Sequence, residues 1–357
     1  MRDPLENIKP YVREIRPYSL RFEPARIKLN QNENPWDMPS EIKLEALRRL
    51  QNRPWSRYPE FTPSSLINRL AEFSGWTAEG TLAGNGSNEL IQALLMVTVT
   101  EGKRVLISEP TFALYRQVAT LLGGKVISVP LSSELTYDIQ ALNAATESFK
   151  PDVTIICSPN NPTGCTIPRS DLVSLLEASD GLVAVDEAYF EFAGETSVPL
   201  LAKHSNLVVL RTFSKALAMA ALRVGYLMSS PDLTREISKA LLPYHLNFFS
   251  QTAAEIALEM YESSLKPRVA LILAERDRVF SELGRLPGLE PVSSRANFMI
   301  VRSSIEPRRI FEELLKRGIL IRDVTAYPML KDYFRVGVGT PEENNLLLDS
   351  LREIVAT

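Results

Sequence analysis

The amino-acid sequence predicts an α/β fold in which a mainly parallel central sheet forms a large domain and a smaller α+β domain follows. Two observations predict this class. From residue 104 to residue 228, short apolar and β-branched runs alternate with amphipathic segments, as expected for a buried parallel sheet flanked by helices. Beyond Pro243 the pattern changes to a long helical stretch and then to fewer, more separated strands, which is typical of a smaller α+β domain.

The strands of the large sheet are predicted from near-continuous apolar runs. Because a strand of a parallel sheet is buried on both faces, its sequence does not alternate between apolar and polar residues. The six runs are RVLIS (104–108), KVISV (125–129), DVTIIC (152–157), GLVAV (181–185), NLVVL (206–210) and RVGYLM (223–228). Three strands of the smaller domain are predicted at ANFMIV (296–301), GILIRDV (318–324) and YFRVGV (333–338).

The chain is predicted to divide into three parts. Residues 1–35 are rich in Pro, Arg and Asn without sustained periodicity, and they are predicted to form an arm that covers another part of the protein. Residues 36–245 are the predicted large domain, which opens with apolar residues at helical spacing. Residues 246–357 are the predicted small domain.

Charge and composition exclude several classes of function. The 40 basic and 43 acidic residues are mixed along the chain and no basic block occurs, so nucleic acid is not an expected partner. The N-terminus lacks the apolar run of a secretion signal, and no segment approaches the roughly 18 apolar residues of a membrane span, so a cytoplasmic protein is expected. Cys157, Cys165, His204 and His245 stand in no metal-ligand or triad spacing, and no metal site is predicted.

The segment VLRTFSKALAMAALRVG (208–225) carries the strongest chemical signal. A buried strand is predicted to end here, and Thr212, Ser214 and Lys215 follow at once. A lysine at a strand end is only partly hydrated, which lowers the pKa of its amine and makes it available for Schiff-base chemistry. Arg223, eight residues after the lysine, and the two hydroxyls can donate hydrogen bonds to a phosphate group. A Ser-Lys pair alone, however, is common and does not define a site.

The segment GNGSNELI (84–91) predicts a helix that begins at an anion site. Its glycines allow close backbone approach, and Ser87 or Asn88 is predicted to cap the helix. Free N–H groups at a helix N-terminus bind anions. Viewed alone, the segment is equally consistent with an ordinary capped helix.

Two further segments place polar groups after apolar strands. Asp186, in VAVDEAYFEF (183–192), is predicted to be a carboxylate near a dry site, where it can keep a pyridinium nitrogen protonated. Tyr189, three residues later, can donate to a phenolate oxygen. In CSPNNPTG (157–164), two X-Pro bonds fix a turn that presents Asn161, whose amide can bond the same oxygen. Loops rich in Pro and Asn are also common as simple turns.

The order of these motifs resembles the fold type I aminotransferases, which use pyridoxal 5′-phosphate (PLP). The matching segments, between about residues 5 and 350, are GNGSNE, PTFALY, SPNNPTG, DEAY, RTFSK with an arginine eight residues later, and FRVGVG. The chain is most similar to the histidinol-phosphate aminotransferase group, whose further segments are matched by LNQNENP (29–35), RYPE (57–60) and LIRDV (320–324). The resemblance implies PLP-dependent transfer of an amino group between L-histidinol phosphate and 2-oxoglutarate, in histidine biosynthesis.

The resemblance implies a role for each residue that matches a motif. Lys215 would hold the cofactor and then carry a proton between the substrate Cα and the cofactor, while Asp186 would pair with the pyridine nitrogen. Asn161 and Tyr189 would bond the ring oxygen. Phe112 would stack on the ring, at a position where many relatives have Tyr. The residues implied around the cofactor phosphate are Ser87, Asn88, Thr212, Ser214 and Arg223, with Tyr58 reaching the phosphate of a neighbouring subunit.

Because Tyr58 would act across subunits, the resemblance implies a homodimer, with the N-terminal arm packed against the small domain and the partner subunit. Arg335 matches the arginine that binds the substrate α-carboxylate bidentately. Asn32 is a further substrate-binding residue in this resemblance. The arm sequence KPYVREIRPY departs from the KPYxPG-like arm of the group.

The resemblance also suggests a place for the phosphate of the substrate. The resemblance suggests that Arg322, with Tyr11 or Tyr18 of the arm, receives this second anion. The alternative is that Arg322 pairs with Asp323 or another carboxylate and touches no substrate.

Three other functions remain open on sequence grounds. An aromatic amino acid aminotransferase is one, because Phe112 and the tyrosines could line a pocket for a flat apolar ring. A threonine-phosphate decarboxylase is another, because it also needs a carboxylate site and a phosphate site. A non-catalytic PLP-binding regulator is the third. Such proteins commonly carry a DNA-binding domain or lose a catalytic residue, whereas Lys215, Asp186 and Arg335 are all present here.

Overall fold

The computed structural model describes residues 3–15, 17 and 23–356. Its strands are β1 (Ile27–Lys28), β2 (Thr81–Gly84), β3 (Arg104–Glu109), β4 (Lys125–Pro130), β5 (Val153–Cys157), β6 (Leu182–Asp186), β7 (Leu207–Thr212), β8 (Gly225–Met228), β9 (Leu289–Pro291), β10 (Phe298–Ser303), β11 (Ile319–Leu320), β12 (Arg322–Asp323) and β13 (Tyr333–Gly337). Its helices are α1 (Pro10–Glu14), α2 (Ser40–Gln51), α3 (Ser64–Ser74), α4 (Ser87–Thr98), α5 (Leu114–Leu121), α6 (Ile139–Phe149), α7 (Arg169–Ala178), α8 (Phe190–Ala193), α9 (Pro231–Ser238), α10 (Phe248–Glu259), α11 (Lys266–Leu283), α12 (Pro307–Lys316) and α13 (Pro341–Val355).

Seven strands form the central sheet, in the order β2-β8-β7-β6-β5-β3-β4. Strands β3 to β7 pair in parallel, whereas β8 runs antiparallel to both β7 and β2. The predicted α/β fold with a mainly parallel sheet is confirmed, and each of the six predicted runs contains a strand of this sheet. The sequence does not predict β2 because TLAG is four residues long and ends in glycine, which is too short for a recognisable apolar run.

The two faces of the central sheet are covered by different helices. Helices α2, α3, α6, α7 and α10 supply apolar side chains to the core on one face, and α4, α5 and α9 supply those on the other. Successive residues of each strand point to opposite faces, so Val183 and Val185 lie in the first core while Ala184 lies in the second. This double burial explains why the strands read as unbroken apolar runs.

A second sheet, in the order β12-β13-β10-β9, is antiparallel and packs with α11, α12 and α13 around its own core. The single strand predicted at 318–324 is instead two short strands, because β11 pairs with β1 and β12 pairs with β13. The parallel pairing of Ile27 with Ile319 forms a separate two-stranded sheet, and both side chains lie in the core of the smaller sheet, so the end of the predicted arm packs with the small domain.

The position of α10 bears on the predicted domain boundary. This helix lies in the range predicted for the small domain, yet it packs against α2 and α3 and contributes Ala253, Ala254 and Ile256 to the core of the large sheet. The helix α10 therefore packs with the large sheet, and the boundary at residue 245 stays a prediction. Within the described part of the chain, no helix combines the length and the apolar character needed to cross a membrane.

Candidate active site

A cavity of about 480 Å³ opens where the central strands end. In parallel sheets, ligands bind at the carboxyl ends of the strands. Here the final residues of β5, β6 and β7 reach the cavity wall as Cys157, Asp186 and Thr212. The predicted site residues that line it are Asn32, Ser87, Asn88, Phe112, Asn161, Asp186, Tyr189, Thr212, Ser214, Lys215, Arg223, Arg322 and Arg335.

Lys215 follows β7 and projects its amine into this cavity. Its Nζ donates a hydrogen bond to the backbone carbonyl oxygen of Gln31 at 2.8 Å and lies 5.8 Å from the centre of the Tyr189 ring. Burial, assisted by the positive charge of Arg335, lowers the pKa of Lys215 to about 8. A larger share of this amine is therefore neutral and nucleophilic near pH 7 than in an exposed lysine.

Asp186 is the last residue of β6 and is buried. Its Oδ2 accepts a hydrogen bond from the hydroxyl of Tyr115 at 2.7 Å, and its Oδ1 accepts one from the backbone N–H of Ala188 at 3.1 Å. Burial raises the pKa of this carboxyl to about 6, although the hydrogen bond from Tyr115 opposes the shift. Each carboxylate oxygen can accept a further hydrogen bond, so a cationic N–H donor in the cavity would pair with it and stabilise its charged form.

An anion-binding cup lies at the start of α4. The helix begins at Ser87 with Gly86 as its N-cap, so the prediction that Ser87 or Asn88 caps it is wrong. Gly86 has a left-handed φ of +83°, and a Cβ there would lie 2.5 Å from the guanidinium of Arg223. A Cβ on Gly225 would lie 2.3 Å from the backbone nitrogen of Ser87. Glycine is therefore required at both positions for the arginine and β8 to approach the helix N-terminus.

Hydroxyl groups complete this cup. Arg223 Nη1 donates to Ser214 Oγ at 3.1 Å, and Thr212 Oγ1 lies 3.0 Å from the same oxygen. A helix N-terminus, a guanidinium and two hydroxyls together form a site suited to a phosphate group.

The cavity is also lined by the groups expected to contact substrate. Arg335 Nη1 donates to Asn161 Oδ1 at 2.5 Å, and its Nη2 donates to the carbonyl oxygen of Asn30 at 2.6 Å. Asn32 Nδ2 donates to the hydroxyl of Tyr189 at 3.0 Å. The Oδ1 atoms of Asn30 and Asn32 are buried and have no hydrogen-bond partner among the described residues, which leaves two acceptors for a bound ligand or water.

Arg322 reaches the same cavity from β12, beside Tyr327. The alternative in which it pairs with Asp323 is not observed. Asp323 accepts hydrogen bonds from the backbone and hydroxyl of Thr325 and lies 4.0 Å from Arg308. Across the described residues, no carboxylate forms an ion pair with Arg322, so its guanidinium is available to an anionic ligand.

Two tyrosines named from the sequence, Tyr58 and Tyr11, are not among the described residues that line the cavity. Tyr58 is 80% exposed and stacks on Tyr244 with ring centres 4.5 Å apart. Tyr11 lies in α1, against the residues that follow α5, where its hydroxyl would be 3.1 Å from a Cβ on Gly123. Tyr18 lies outside the described residues.

Several groups of the cavity were not predicted from the sequence. Tyr115 is fully buried, bonds Asp186, and packs edge-to-face with Phe112 at 5.6 Å. Its position three residues after Phe112, in the same PTFALY segment, is a signal that could have identified it. Gln31 contributes through its backbone carbonyl, and Tyr327 comes from an irregular loop. No residue-type pattern marks either of these two.

Comparison with known proteins agrees with this architecture. The family model for aminotransferases of class I and II matches residues 24–351. The histidinol-phosphate aminotransferase of Chlorobium phaeovibrioides is 38% identical over 99% of this chain and 98% of the relative. That of Chlorobaculum tepidum is 37% identical over 97% of this chain and all of the relative. The crystal structure of the Sinorhizobium meliloti histidinol-phosphate aminotransferase, in complex with PLP, superposes with a TM-score of 0.89 at 24% identity, over 98% of each chain.

The last of these similarities shows the fold, and the family match together with the curated relatives shows the family. The resemblance inferred from the ordered motifs is confirmed by both. The chain belongs to the class I and II aminotransferases, within the histidinol-phosphate aminotransferase group.

Proposed function

We propose that this chain is a PLP-dependent aminotransferase of the cytoplasm that moves an amino group between L-histidinol phosphate and 2-oxoglutarate in histidine biosynthesis. The observation that carries the proposal is the content of one cavity. It holds a lysine with a lowered pKa, a buried carboxylate, a phosphate cup, and two further arginines, Arg322 and Arg335. The names of the full-length relatives support the same activity.

The residues of the cavity fit PLP group by group. The cup at the start of α4 suits the cofactor phosphate, and Asp186 suits the protonated ring nitrogen. Asn161 and Tyr189 suit the ring oxygen, and Phe112 offers an aromatic face to the ring. When bound, PLP supplies an electron sink that stabilises negative charge at the substrate Cα.

Lys215 has two tasks in this proposal. Its neutral amine binds the cofactor, because a lowered pKa makes the lone pair available. With the cofactor bound, the same Nζ could accept the proton of the substrate Cα and later donate it again. The carbonyl oxygen of Gln31, 2.8 Å from Nζ, can hold the protonated amine within the cavity between these two transfers.

The substrate is held at two anionic ends. Arg335 presents a guanidinium in the buried wall beside Asn161, which suits bidentate binding of an α-carboxylate. Arg322 lies in the same cavity and has no carboxylate partner among the described residues. It is therefore the group best placed for a second anion, and the phosphate of histidinol phosphate is the anion proposed. The carboxylates of 2-oxoglutarate can use the same two arginines.

The active unit in this proposal is a homodimer, with the N-terminal arm packed on the small domain and the partner subunit. Its support is an exposed apolar patch formed by Trp55, Tyr58, Phe61 and Leu242, each at least 66% exposed. A patch of this kind marks an interaction surface. From it, Tyr58 would reach the phosphate cup of the second subunit. Light scattering of the purified protein tests this, and a monomer that is fully active would contradict it.

Turnover of the PLP-loaded protein with 2-oxoglutarate and a panel of donors tests the substrate. The panel contains L-histidinol phosphate, histidinol, phenylalanine, tyrosine and O-phosphothreonine. The proposal expects the highest kcat/KM for histidinol phosphate, well above that for histidinol, because the phosphate contributes binding energy at Arg322. Equal or better turnover of the aromatic donors, or release of carbon dioxide from phosphothreonine, would replace the substrate proposed here.

A substitution isolates the phosphate contact. Arg322→Gln is expected to raise KM for histidinol phosphate by roughly tenfold or more, the usual effect of losing a hydrogen bond to a charged group, while KM for histidinol stays the same. Arg302→Gln, on an exposed arginine of β10, is the matched control. Equal effects of Arg322→Gln on both donors would contradict phosphate recognition by this residue.

A further inference from the structure

A second group of charged residues lies directly behind the active site, on the other face of the central sheet. Asp186 and Thr212 end their strands facing the cavity. Glu187 and Arg211, their immediate neighbours in sequence, are not part of its lining. Since successive strand residues point to opposite faces, Arg211 falls on the face of Val209, and Glu187 on that of Val185. The ends of β6 and β7 thus each carry one residue that lines the cavity and one residue on the opposite face of the sheet.

Glu187 and Arg211 join the two strand ends through a buried ion pair. Both residues are 2% exposed, and Arg211 Nε donates to Glu187 Oε2 at 3.0 Å. Thr196 Oγ1 donates to Glu187 at 2.9 Å and accepts from Arg211, while the backbone N–H of Ser197 also donates to Glu187. The guanidinium lies 3.5 Å from the centre of the Phe190 ring. Glu187, Arg211, Thr196 and Phe190 are called the rear clamp below.

The neighbours of the rear clamp leave its two charges paired with each other. Burial raises the pKa of Glu191 to about 8, so this carboxyl is mostly neutral at pH 7. Tyr226 contacts Arg211 through its hydroxyl at 3.4 Å, and burial raises its pKa as well. Tyr261, on the same side, also has its pKa raised by burial. Glu187 and Arg211 form the ion pair of the group.

A buried ion pair is not an efficient way to stabilise a fold. Removing two charges from water costs about as much as their attraction returns, and apolar residues of similar volume often stabilise a core equally well or better. What such a pair supplies is a defined geometry, because each partner fixes the other in one orientation. The rear clamp therefore points to a requirement for position rather than for stability.

The position that it fixes is that of the turn from Asp186 to Phe190. Asp186 and Tyr189 of this turn line the cavity. Two other residues of the turn contact Arg211: Glu187 accepts its hydrogen bond, and the ring of Phe190 lies against its guanidinium. Arg211 in turn directly precedes Thr212 in β7, the strand that leads to Lys215. We propose that the rear clamp positions the Asp186 turn relative to β7 and thereby sets the contact between Asp186 and the cofactor ring nitrogen. Glu187 and Arg211 are positioning residues in this proposal, which rests on the proposed PLP-dependent function.

The test replaces the ion pair without leaving an unpaired charge. The double variant Glu187→Leu/Arg211→Met is expected to fold, with a Tm close to that of the wild type. Its kcat is expected to fall by roughly 10- to 100-fold through misplacement of Asp186, while KM changes less than about twofold. The matched control is Glu259→Gln, which breaks the ion pairs that link α10 to α2 and α3. This variant should keep the kcat and the KM of the wild type.

Two readouts separate positioning from a general structural effect. The pH midpoint of the visible absorbance of the PLP-loaded double variant should move upward by roughly 0.5 to 1 unit. The reason is that the cofactor ring nitrogen would lose its proton without Asp186 as its partner. An uncharged ring would no longer lower the pKa of the Lys215 nitrogen that is linked to the cofactor. In the protein without cofactor, amide hydrogen exchange should become faster for residues 186–190 and stay unchanged in β3 and β4.

A double variant that folds with wild-type kcat, absorbance midpoint and hydrogen exchange would overturn the proposal. If the double variant does not fold, Thr196→Val replaces it as the test. Thr196 is exposed at the surface, so its substitution should not unfold the protein, and its hydroxyl bonds both Glu187 and Arg211. A smaller upward shift of the absorbance midpoint in Thr196→Val would support the rear clamp, and an unchanged midpoint would contradict it. Failure of the wild-type protein to develop the visible absorbance with PLP would instead contradict the proposed function, and the exchange experiment without cofactor would still judge the clamp.

Discussion

The two ends of the active-site cavity are built differently. The cofactor end consists of residues at or just after strand ends, together with the first turn of α4, and its polar groups already bond one another, as Arg223, Ser214 and Thr212 do. The substrate end consists of the irregular segment after β1, short β12 with the loop that follows it, and β13, which carries Arg335. There the Oδ1 atoms of Asn30 and Asn32 are buried without partners in the described structure.

This difference separates chemistry from specificity. The central sheet holds the cofactor end in a fixed geometry, which suits a group that stays bound through many turnovers. At the substrate end, the Oδ1 atoms of Asn30 and Asn32 have no hydrogen-bond donor, and Arg322 forms no ion pair with a carboxylate among the described residues. Groups left without partners in this way suit a ligand that enters and leaves. We therefore expect substitutions at the cofactor end to change kcat and substitutions at the substrate end to change KM.

The largest effect is expected at the cofactor end from Asp186→Asn. The amide is neutral and cannot pair with a protonated ring nitrogen, so kcat should fall by roughly 10²- to 10³-fold, as for loss of one preorganised electrostatic contact. The KM for histidinol phosphate should change little, since Arg322 and Arg335 are intact. Steady-state kinetics of the PLP-saturated variant measure both values. A rise in KM with an unchanged kcat would break the comparison between the two ends.

The pH dependence of cofactor attachment gives the next largest effect. Because the pKa of Lys215 is lowered to about 8, the neutral fraction of its amine near pH 7 is roughly two orders of magnitude larger than that of an exposed lysine. The rate at which the visible absorbance develops after mixing the cofactor-free protein with PLP should rise with pH and level off above pH 8 to 9. A rate that keeps rising toward pH 10 would show an ordinary lysine.

At the substrate end, Arg335→Lys is expected to raise KM for both the amino donor and 2-oxoglutarate by about 10- to 100-fold. Lysine keeps the charge but cannot form two parallel hydrogen bonds with a carboxylate. Because the positive charge stays near Lys215, the pH midpoint for cofactor attachment should not move, whereas Arg335→Gln should raise it. A loss confined to kcat would assign Arg335 to the cofactor end instead.

The smallest effect is expected from Tyr115→Phe, which removes the hydroxyl that donates to Asp186 at 2.7 Å. Losing a donor to the charged form raises the pKa of Asp186 further, and kcat should fall by a few-fold, within the range for a single hydrogen bond. The variant keeps the aromatic contact with Phe112. An unchanged pH profile of kcat would show that Ala188 and the ring nitrogen alone suffice to hold the carboxylate.

The same contrast explains what the sequence predicted. The parallel strands and the residues that follow them, such as Asp186 and Lys215, were predictable because apolar runs mark a strand and parallel strands end together at one edge. The cap of α4 was not, because a glycine with a left-handed φ replaced the expected side-chain cap at Gly86.

Contacts at the substrate end depend on tertiary structure. The bond from Lys215 to Gln31 uses a backbone carbonyl across a separation of 184 residues, and any residue type offers such a carbonyl. The break of the predicted 318–324 strand also follows from pairing with two different sheets. Neither feature leaves a local pattern in the chain, so sequence reasoning could not supply them.

The most direct test of the account is to locate the cofactor. The PLP-loaded protein would be reduced with borohydride, which makes the link between the cofactor and an amine permanent, then digested and mapped by mass spectrometry. The account predicts a phosphopyridoxyl group on the peptide that contains Lys215, and no labelling and no turnover in Lys215→Ala. Labelling of a different lysine, or turnover by Lys215→Ala at the wild-type rate, would contradict it.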